Sequence, residues 1–588
     1  MPVTARNRSP YRGKLVFTVF FILICCAGVW LLFLGQMMGT DTSSKADPSI
    51  LKPLPVPRLE KESQPGILDP SMEEPFPVQI PKTPRITQPP EELEEEAPPH
   101  PPEEPTLTHP EVKPPPQPQH QGVPKADLSN AAIVVLAFNR PQYLTQTLDS
   151  LFKVAHIDKY PVYVSEDGYD TSVAKVARDH PIKELIQHPR KPRFSGQTGS
   201  AFLAQHYKWA LDKLFFDFGH SHVIIFEDDM IFSPDILQYF EQLGGLLDAD
   251  PTLWCVSTWN DNGFPELSSD PRRLMRVGYF PGLGWMLKKS LWSELSPNFP
   301  LDHWDHWMRL PHISHGRECV VPEVSRNYNI GLNGANMNPS DYERLFRGIA
   351  YNQQADIDLG DPSRMVKKNY DAWLTGLMHQ SHIVPARAVV SLARGDKSTP
   401  AGAAMFPGGT ATWPSLDQLG VGDGERVVTA TYLREEYPGL ADQLHIWPVP
   451  RGHHDHVLVL HWHDHRLWVI LADARHSPFL PESLRVGPSP GFKMIAGRRG
   501  ENCDVACSRN GMRCEASHFD WVNNCTALSQ FFPCENGYGL VVGPDIPNYV
   551  SLDSDKQARK CLITEQNPQC GAAHLATERL CPCLPRTM

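Results

Sequence analysis

Four apolar residues, Val223-Ile-Ile-Phe226, run straight into three acids, Glu227-Asp-Asp229. The apolar run reads as a buried strand. The acids cannot follow it into a core, because carboxylates are costly to bury unless they meet a cation. Two readings stay open on these residues alone. One is a strand followed by a solvated acidic turn. The other is a strand that delivers carboxylates to the carboxyl edge of a sheet, where α/β folds bind ligands and a divalent cation can hold a diphosphate.

The flanking sequence supplies the sheet. Ala131-Ala-Ile-Val-Val-Leu-Ala137 reads as a buried strand, and Pro141 onward as a helix with Tyr143, Leu144, Leu148 and Leu151 on one face. Val162-Tyr-Val-Ser165 is a second strand, ended by Glu166-Asp-Gly168, and 199–216 is a helix before the strand at Val223. This alternation predicts an α/β sheet with parallel strands. The polar clusters Asn139-Arg140, Asp167-Gly168 and Glu227–Asp229 then share one sheet edge, the place for a nucleotide. Leu444-His-Ile-Trp447 and Val457–Trp462 read as strands of a further region. Among His453, His454, His456, His461, His463 and His465, some share a strand face at i, i+2. Metal binding stays open there, with exposed polar alternation as the favoured reading.

The 588 residues allow several domains, and a net charge of −12 gives no reason to expect nucleic acid. Arg6, Arg8, Arg12 and Lys14 precede an apolar run from Leu15 to Leu34. About twenty such residues span a bilayer, and the basic flank favours an inside N-terminus. No small-residue cleavage site is obvious, which favours a retained membrane anchor over a removed signal peptide. Either one sends the rest into the secretory lumen. Residues rich in Pro, Glu and Gln follow and cannot bury a core; Pro114-Pro-Pro116 favours an extended spacer. The expected organisation is a cytoplasmic tail (1–14), an anchor (15–37), a disordered stem (38–126), an α/β domain (127–385), its C-terminal extension (386–488) and a cysteine-rich module (489–588).

Nine of the 13 cysteines crowd that module: Cys503, Cys507, Cys514, Cys525, Cys534, Cys561, Cys570, Cys581 and Cys583. In an oxidising lumen they read as a disulfide framework, with zinc at the close pairs as the rival reading. Nine is odd, so one thiol is left free or pairs elsewhere. Asn524-Cys-Thr526 is a glycosylation sequon.

Five ordered segments resemble the inverting β-1,2-N-acetylglucosaminyltransferases, the family that includes N-acetylglucosaminyltransferase I and the protein O-mannose enzyme. They are Phe226-Glu-Asp-Asp229, Trp259-Asn-Asp-Asn-Gly263, Phe280-Pro-Gly-Leu-Gly-Trp285, Trp304-Asp-His-Trp-Met-Arg309, and Gly316-Arg-Glu-Cys319 with Pro322-Glu-Val-Ser-Arg326. The resemblance covers about 130–385. It implies a GT-A-like mixed sheet flanked by helices, UDP-GlcNAc as donor, a mannose-terminated glycoprotein as acceptor and Mn2+ as cofactor. By position it places Arg140, Asp167 and His206 around the nucleotide, with Asp167 on the uracil edge, His206 near the diphosphate and Asp228 at the ribose. It makes Asp229 the direct metal ligand, lines the sugar pocket with Glu227, Leu283 and Trp304, and makes Asp305 the catalytic base. It also implies a Cys255–Cys319 disulfide and a Golgi location. Residues 327–338, with Gly331 and Gly334, read as a lid over the donor. The choice between an N-glycan and an O-mannose acceptor stays open, as does a catalytically degenerate glycan-binding scaffold. The cysteine-rich tail is similar to the C-terminal region of the α-1,6-mannoside β-1,6-N-acetylglucosaminyltransferase, which suggests an accessory module.

Overall fold

The computed structural model describes residues 123–191, 197–332, 339–398, 403–407, 413–564 and 567–586, all within one compact unit, Val112–Met588. The expected tail and anchor, nearly all of the stem, and residues 333–338 of the expected lid lie outside the described residues. Among the described residues, no helix is long and apolar enough to cross a membrane.

The alternation of strands and helices builds the predicted sheet. Strands β1 (Ala131–Ala137), β2 (Val162–Asp167), β3 (Glu184–His188) and β4 (His222–Glu227) run parallel in the order β3-β2-β1-β4. Helices α1 (Pro141–Leu151), α2 (Thr171–Arg178) and α3 (Gly199–Asp212) lie between them in sequence. Pro141 starts α1, where its missing N–H costs nothing. Asp170 caps α2 by accepting from the amides of Ser172 and Val173. Every residue of β1 is buried, because alternate side chains serve two cores. Ile133 and Val135 pack with Leu144, Leu148, Val164 and Phe226. Val134 and Leu136 pack with Tyr207, Leu211, Ile225 and Trp285. Each large apolar side chain so buried contributes roughly 1.5–3 kcal/mol.

After the short β5 (Met230–Phe232) and helix α4 (Ile236–Leu243) the sheet turns mixed. Strands β6 (Leu253–Ser257), β7 (Leu274–Val277), β8 (Trp285–Lys288) and β9 (Glu318–Pro322) extend it in the order β4-β8-β6-β9-β7. Only β6 and β9 are parallel among these added pairs. Cys255 and Cys319 are register partners there and form the expected disulfide. Strand β10 (Asn327–Asn329) pairs antiparallel with β5, so the start of the expected lid is buried strand rather than a mobile loop.

A second unit follows helix α6 (Lys367–His379), α5 being the short Trp304–Met308. Strands β11 (His382–Ile383), β12 (Ala404–Met405), β13 (Arg426–Tyr432), β14 (Val457–Trp462) and β15 (Leu467–Asp473) form a five-stranded sheet in the order β12-β11-β13-β15-β14. Val457–Trp462 is a strand as expected. Leu444–Trp447 is not: Leu444 ends helix α7 (Tyr437–Leu444), and His445 turns left-handed at φ 56°. Ile446 and Trp447 are buried by packing instead. The histidines are not an exposed alternation either. His453, His454 and His461 are buried, and each finds a polar partner: Tyr432, Glu318 with Asp371, and Glu425, respectively.

The cysteine-rich module closes on four disulfides: Cys503–Cys581, Cys507–Cys583, Cys514–Cys570 and Cys534–Cys561. The close pairs bridge to a distant strand, Thr577–Pro585, rather than to zinc. Cys525 is the free cysteine among the described residues, its thiol pushed up to about 11 by burial.

Candidate functional site

Strand β4 stops at Glu227, and Asp228–Asp229 make the turn into β5. Thr147 of α1 holds this turn: its hydroxyl donates to the Asp228 carbonyl at 2.7 Å and accepts from the Met230 amide at 3.1 Å. Arg140, just before α1, ion-pairs with Asp228 and, at 2.8 Å, with Asp229. Burial opposes the charge of Arg140, but Asp229 and Asp228 outweigh it and hold its pKa above the ordinary arginine value. On the far side, the Ile330 amide donates to the Asp229 carbonyl at 2.8 Å and the Asn329 side chain reaches its carboxylate at 3.4 Å. A Cβ on Gly331 would collide with the Asp229 carboxylate, so glycine keeps that flank open.

Helix α5 brings a second carboxylate to the same place. Trp304 stacks on Tyr207 of α3 with ring centroids 4.2 Å apart, and the Tyr207 hydroxyl donates to Glu227 at 2.6 Å. Burial first, then Glu227, Asp305 and Asp229, push the Tyr207 phenol well above its ordinary value, which puts all three acids within electrostatic reach of one hydroxyl. Asp305 Oδ2 accepts from Arg309, one helical turn on, at 2.9 Å. Its Oδ1 is buried and meets no hydrogen-bond donor among the described residues. Arg309 also donates to the Phe280 carbonyl at 3.2 Å, tying α5 to the loop that carries Leu283. That loop turns through Gly282 and Gly284 at φ 72° and 59°, and Ser257 donates to the Leu283 carbonyl.

Glu227, Asp228, Asp229 and Asp305 thus meet two arginines. Burial raises the carboxyl pKa of Glu227, and Asp229 raises it further. Asp228 is raised by burial too, with Arg140 opposing and Asp229 adding. A turn in which carboxylates gain protons because they are buried together is a turn that a divalent cation would relieve. Asp229 belongs to none of the His/Cys/Asp/Glu groups whose ligand atoms converge within 4.8 Å among the described residues. A single protein carboxylate fits a small cation that takes its other oxygens from phosphate and water.

Two expected nucleotide residues are placed apart from this cluster. Asp167, 2% exposed at the end of β2, is bonded to His188 at 2.7 Å and to Arg190. Each of its oxygens has one partner and keeps a second lone pair with which to accept from a base. His206 sits behind it, bonded to Ser165 at 2.8 Å and stacked on His188. Burial pushes His206 down to about 4, with Asp167 opposing that shift, and the ring backs the Asp167–His188 pair. The sequence reading passed over Tyr207, His188, Arg190 and Arg309. Tyr207 and Arg309 were next to, or one helical turn from, residues already singled out. His188 owes its place to the β2–β3 register, where it faces Asp167. A cavity of about 510 Å³, lined by Arg273, Tyr370, Trp373 and Trp468 among others, includes none of the candidate residues.

The GNT-I family model matches residues 109–400, which contain every candidate residue above. That region is similar to the GNT-I family. An α-1,3-mannosyl-glycoprotein 2-β-N-acetylglucosaminyltransferase of Arabidopsis thaliana is 37% identical over 275 residues, 45% of this chain. The match spans 62% of that relative, less than two thirds of its length. Among solved structures, a mannosyltransferase from Pyrobaculum calidifontis in complex with GDP-Man and Mn2+ aligns at 19% identity over 33% of this chain and 54% of its own, with a TM-score of 0.24. S. aureus TarS 1–349 aligns at 12% identity over 34% and 60%, with a TM-score of 0.25. The mixed, helix-flanked sheet expected of a GNT-I family member is the one described above.

Proposed function

We propose that this chain is an inverting glycosyltransferase. It moves N-acetylglucosamine from UDP-GlcNAc to the 2-hydroxyl of a terminal α-mannose on glycoprotein N-glycans. The observation that carries the reading is the buried oxygen of Asp305, which has no partner among the described residues and lies within electrostatic reach of the hydroxyl that bonds Glu227, inside the region that matches the GNT-I family model.

Displacement at an anomeric carbon with inversion needs one base, by analogy with inverting hydrolases. Asp305 takes the proton of the attacking mannose hydroxyl through Oδ1, while Arg309 fixes Oδ2 and so aims the carboxylate. Tyr207 and Trp304 form the wall that holds Glu227 toward the sugar, and Leu283 closes the opposite side. Arg140 and Asp228 take the ribose-phosphate end, with Asp167 and His206 behind the base. Asp229 would hold Mn2+, which when bound neutralises the departing diphosphate. Positioning the two reactants in line contributes the rest.

The proposed location is the Golgi membrane, with the 15–37 segment as a type II signal anchor and the folded part in the lumen. The basic-flanked apolar run and five disulfides, which persist in oxidising compartments, support it. The cysteine-rich module is read as an accessory domain without a catalytic site of its own.

The purified chain, given UDP-GlcNAc and Mn2+, is tested in parallel on a five-mannose N-glycan and an O-mannosyl peptide. Transfer to the N-glycan is the expected result. Transfer to the peptide alone would move the reading to the protein O-mannose acceptor. Absence of Mn2+-dependent UDP binding would replace it with a degenerate glycan-binding scaffold.

A further inference from the structure

Four groups of His, Cys, Asp and Glu among the described residues bring their ligand atoms within 4.8 Å of one another. Three are already satisfied. In Glu323–His461–His463, Arg273 donates to Glu323 at 2.6 Å and to His461 at 2.8 Å, so a cation is in place. In Asp371–His454–Asp455, Lys367 bridges the two aspartates. In Asp504–Cys514–Cys570, both sulfurs are spent in a disulfide. The fourth group, His456–Asp473–His476, differs: among the described residues, no lysine or arginine ion-pairs with Asp473.

Its geometry comes from the strand pairing. His456 precedes β14, Asp473 ends β15, and the Asp473 amide donates to the His456 carbonyl at 3.0 Å. Both Asp455 and His456 are left-handed, at φ 40° and 66°, a conformation uncommon for side-chain-bearing residues. One Asp473 oxygen is held by the amides of Arg475 at 2.8 Å and His476 at 3.3 Å. The other is turned to His476 Nδ1 at 3.0 Å. The His456 and His476 rings lie 5.3 Å apart. A carboxylate held by two backbone amides beside two imidazoles brings three ligand atoms within 4.8 Å of one another. His456 is exposed, which provides an entry path. Arg475 is paired with Glu435 and Asp520, and Arg434 lies near enough to His456 to favour its neutral, metal-binding form.

We propose that His456, Asp473 and His476 form a site for a divalent transition metal of the zinc class, and that it fastens the cysteine-rich module to the five-stranded unit. Two neutral nitrogens and one carboxylate suit Zn2+ in a tetrahedral arrangement, with the fourth position open to water. The fastening follows from what the site touches. The His476 ring lies 5.5 Å from that of Trp521, and Arg475 bonds Asp520 at 2.6 Å, both partners belonging to the module. A metal that fixes the His476 ring therefore fixes the surface on which Trp521 packs.

The test uses the untagged full chain, stripped with a chelator and titrated with Zn2+ alone, then with Co2+ alone. The expected result is one tightly held zinc per chain beyond that bound by His456→Ala or His476→Ala. The cobalt form should show the intense visible bands of a tetrahedral site, absent in both variants. Zinc should also raise the midpoint of thermal unfolding in the wild-type chain only. Equal zinc in wild type and both variants, or a cobalt form without those bands, would overturn the proposal. Should His476→Ala fail to fold, His456→Ala decides alone, because its ring is exposed. Transfer activity is not needed for any readout, so failure here leaves the proposed reaction untouched.

Discussion

Asp305 and Gly331 each turn one atom into a functional statement. Asp305→Asn keeps size and the Arg309 contact through its remaining oxygen but removes the base. Donor binding should survive while turnover falls by about 10²–10⁴-fold, the usual worth of a positioned base; UDP binding by calorimetry beside kcat separates the two, and near-normal kcat would remove Asp305 from the role. Gly331→Ala puts a methyl where the Asp229 carboxylate lies. It should weaken Mn2+-dependent donor binding at least about tenfold with little change in thermal midpoint, since the residue is near the loop end of β10; unchanged donor affinity would show that the carboxylate is not held there. Asp229 stood out because three acids follow a buried apolar strand, whereas Asp305 was singled out only by the family resemblance. Gly331 was legible only as a flexible residue, since its closeness to Asp229 arises from the β5–β10 pairing across a hundred residues.

Elements are held by charge as well as by packing. Arg276 of β7 is fully buried and donates to Glu318 of β9 at 2.7 Å and to Asp250 at 2.8 Å. It also donates to the Met365 carbonyl at 2.7 Å, just before α6. Removing one member of a buried charge network leaves the others uncompensated and costs about 3–5 kcal/mol. Arg276→Met should therefore lower the unfolding free energy by that amount, whereas the exposed Arg347→Met, whose ion pair is a surface i, i+4 contact, should lower it by less than about 0.5 kcal/mol. Similar shifts for both would discard the network as a stabiliser. The sheet itself was readable in the sequence because β1 is an unbroken apolar run, and short apolar runs in β2 and β4 lead into acids. The antiparallel half was not, since β7 carries Arg276 and β8 is four residues long. Leu444–Trp447 misled for a related reason: the bulky Leu444, Ile446 and Trp447 can be buried either as a strand or as a helix end, and the left-handed, exposed His445 makes them the latter.

At the scale of the molecule, the division at residue 385 cuts through shared structure. His454, beyond the cut, bonds Glu318 of β9 at 2.8 Å and Asp371 of α6 at 2.7 Å. Asn262 donates to the Arg451 carbonyl at 3.0 Å and accepts from the Trp447 amide at 3.0 Å. A chain ending at 385 should not yield soluble folded protein, and a soluble, active one would show that the five-stranded unit is dispensable. Histidine burial gives the assembly a pH signature. Burial holds His206 and His453 down to about 4 each, against an ordinary value near 6.5. The unfolded chain therefore takes up protons between pH 6.5 and 4 that the folded chain refuses. Their contribution is complete above pH 6.5 and is lost as pH falls toward 4. At pH 5 the loss is about 2 kcal/mol per histidine, a large part of the 5–15 kcal/mol typical of folded domains. His454 works the other way: burial disfavours its charge, but the hydrogen bonds it donates to Asp371 and Glu318 raise its pKa, so its contribution is held at low pH and lost as pH rises. Two buried neutral histidines outweigh one charged one below pH 6. Urea midpoints should drop between pH 7 and pH 5, and the drop should shrink in His453→Gln; equal midpoints at the two pH values would mean that these rings gain protons without leaving their buried sites.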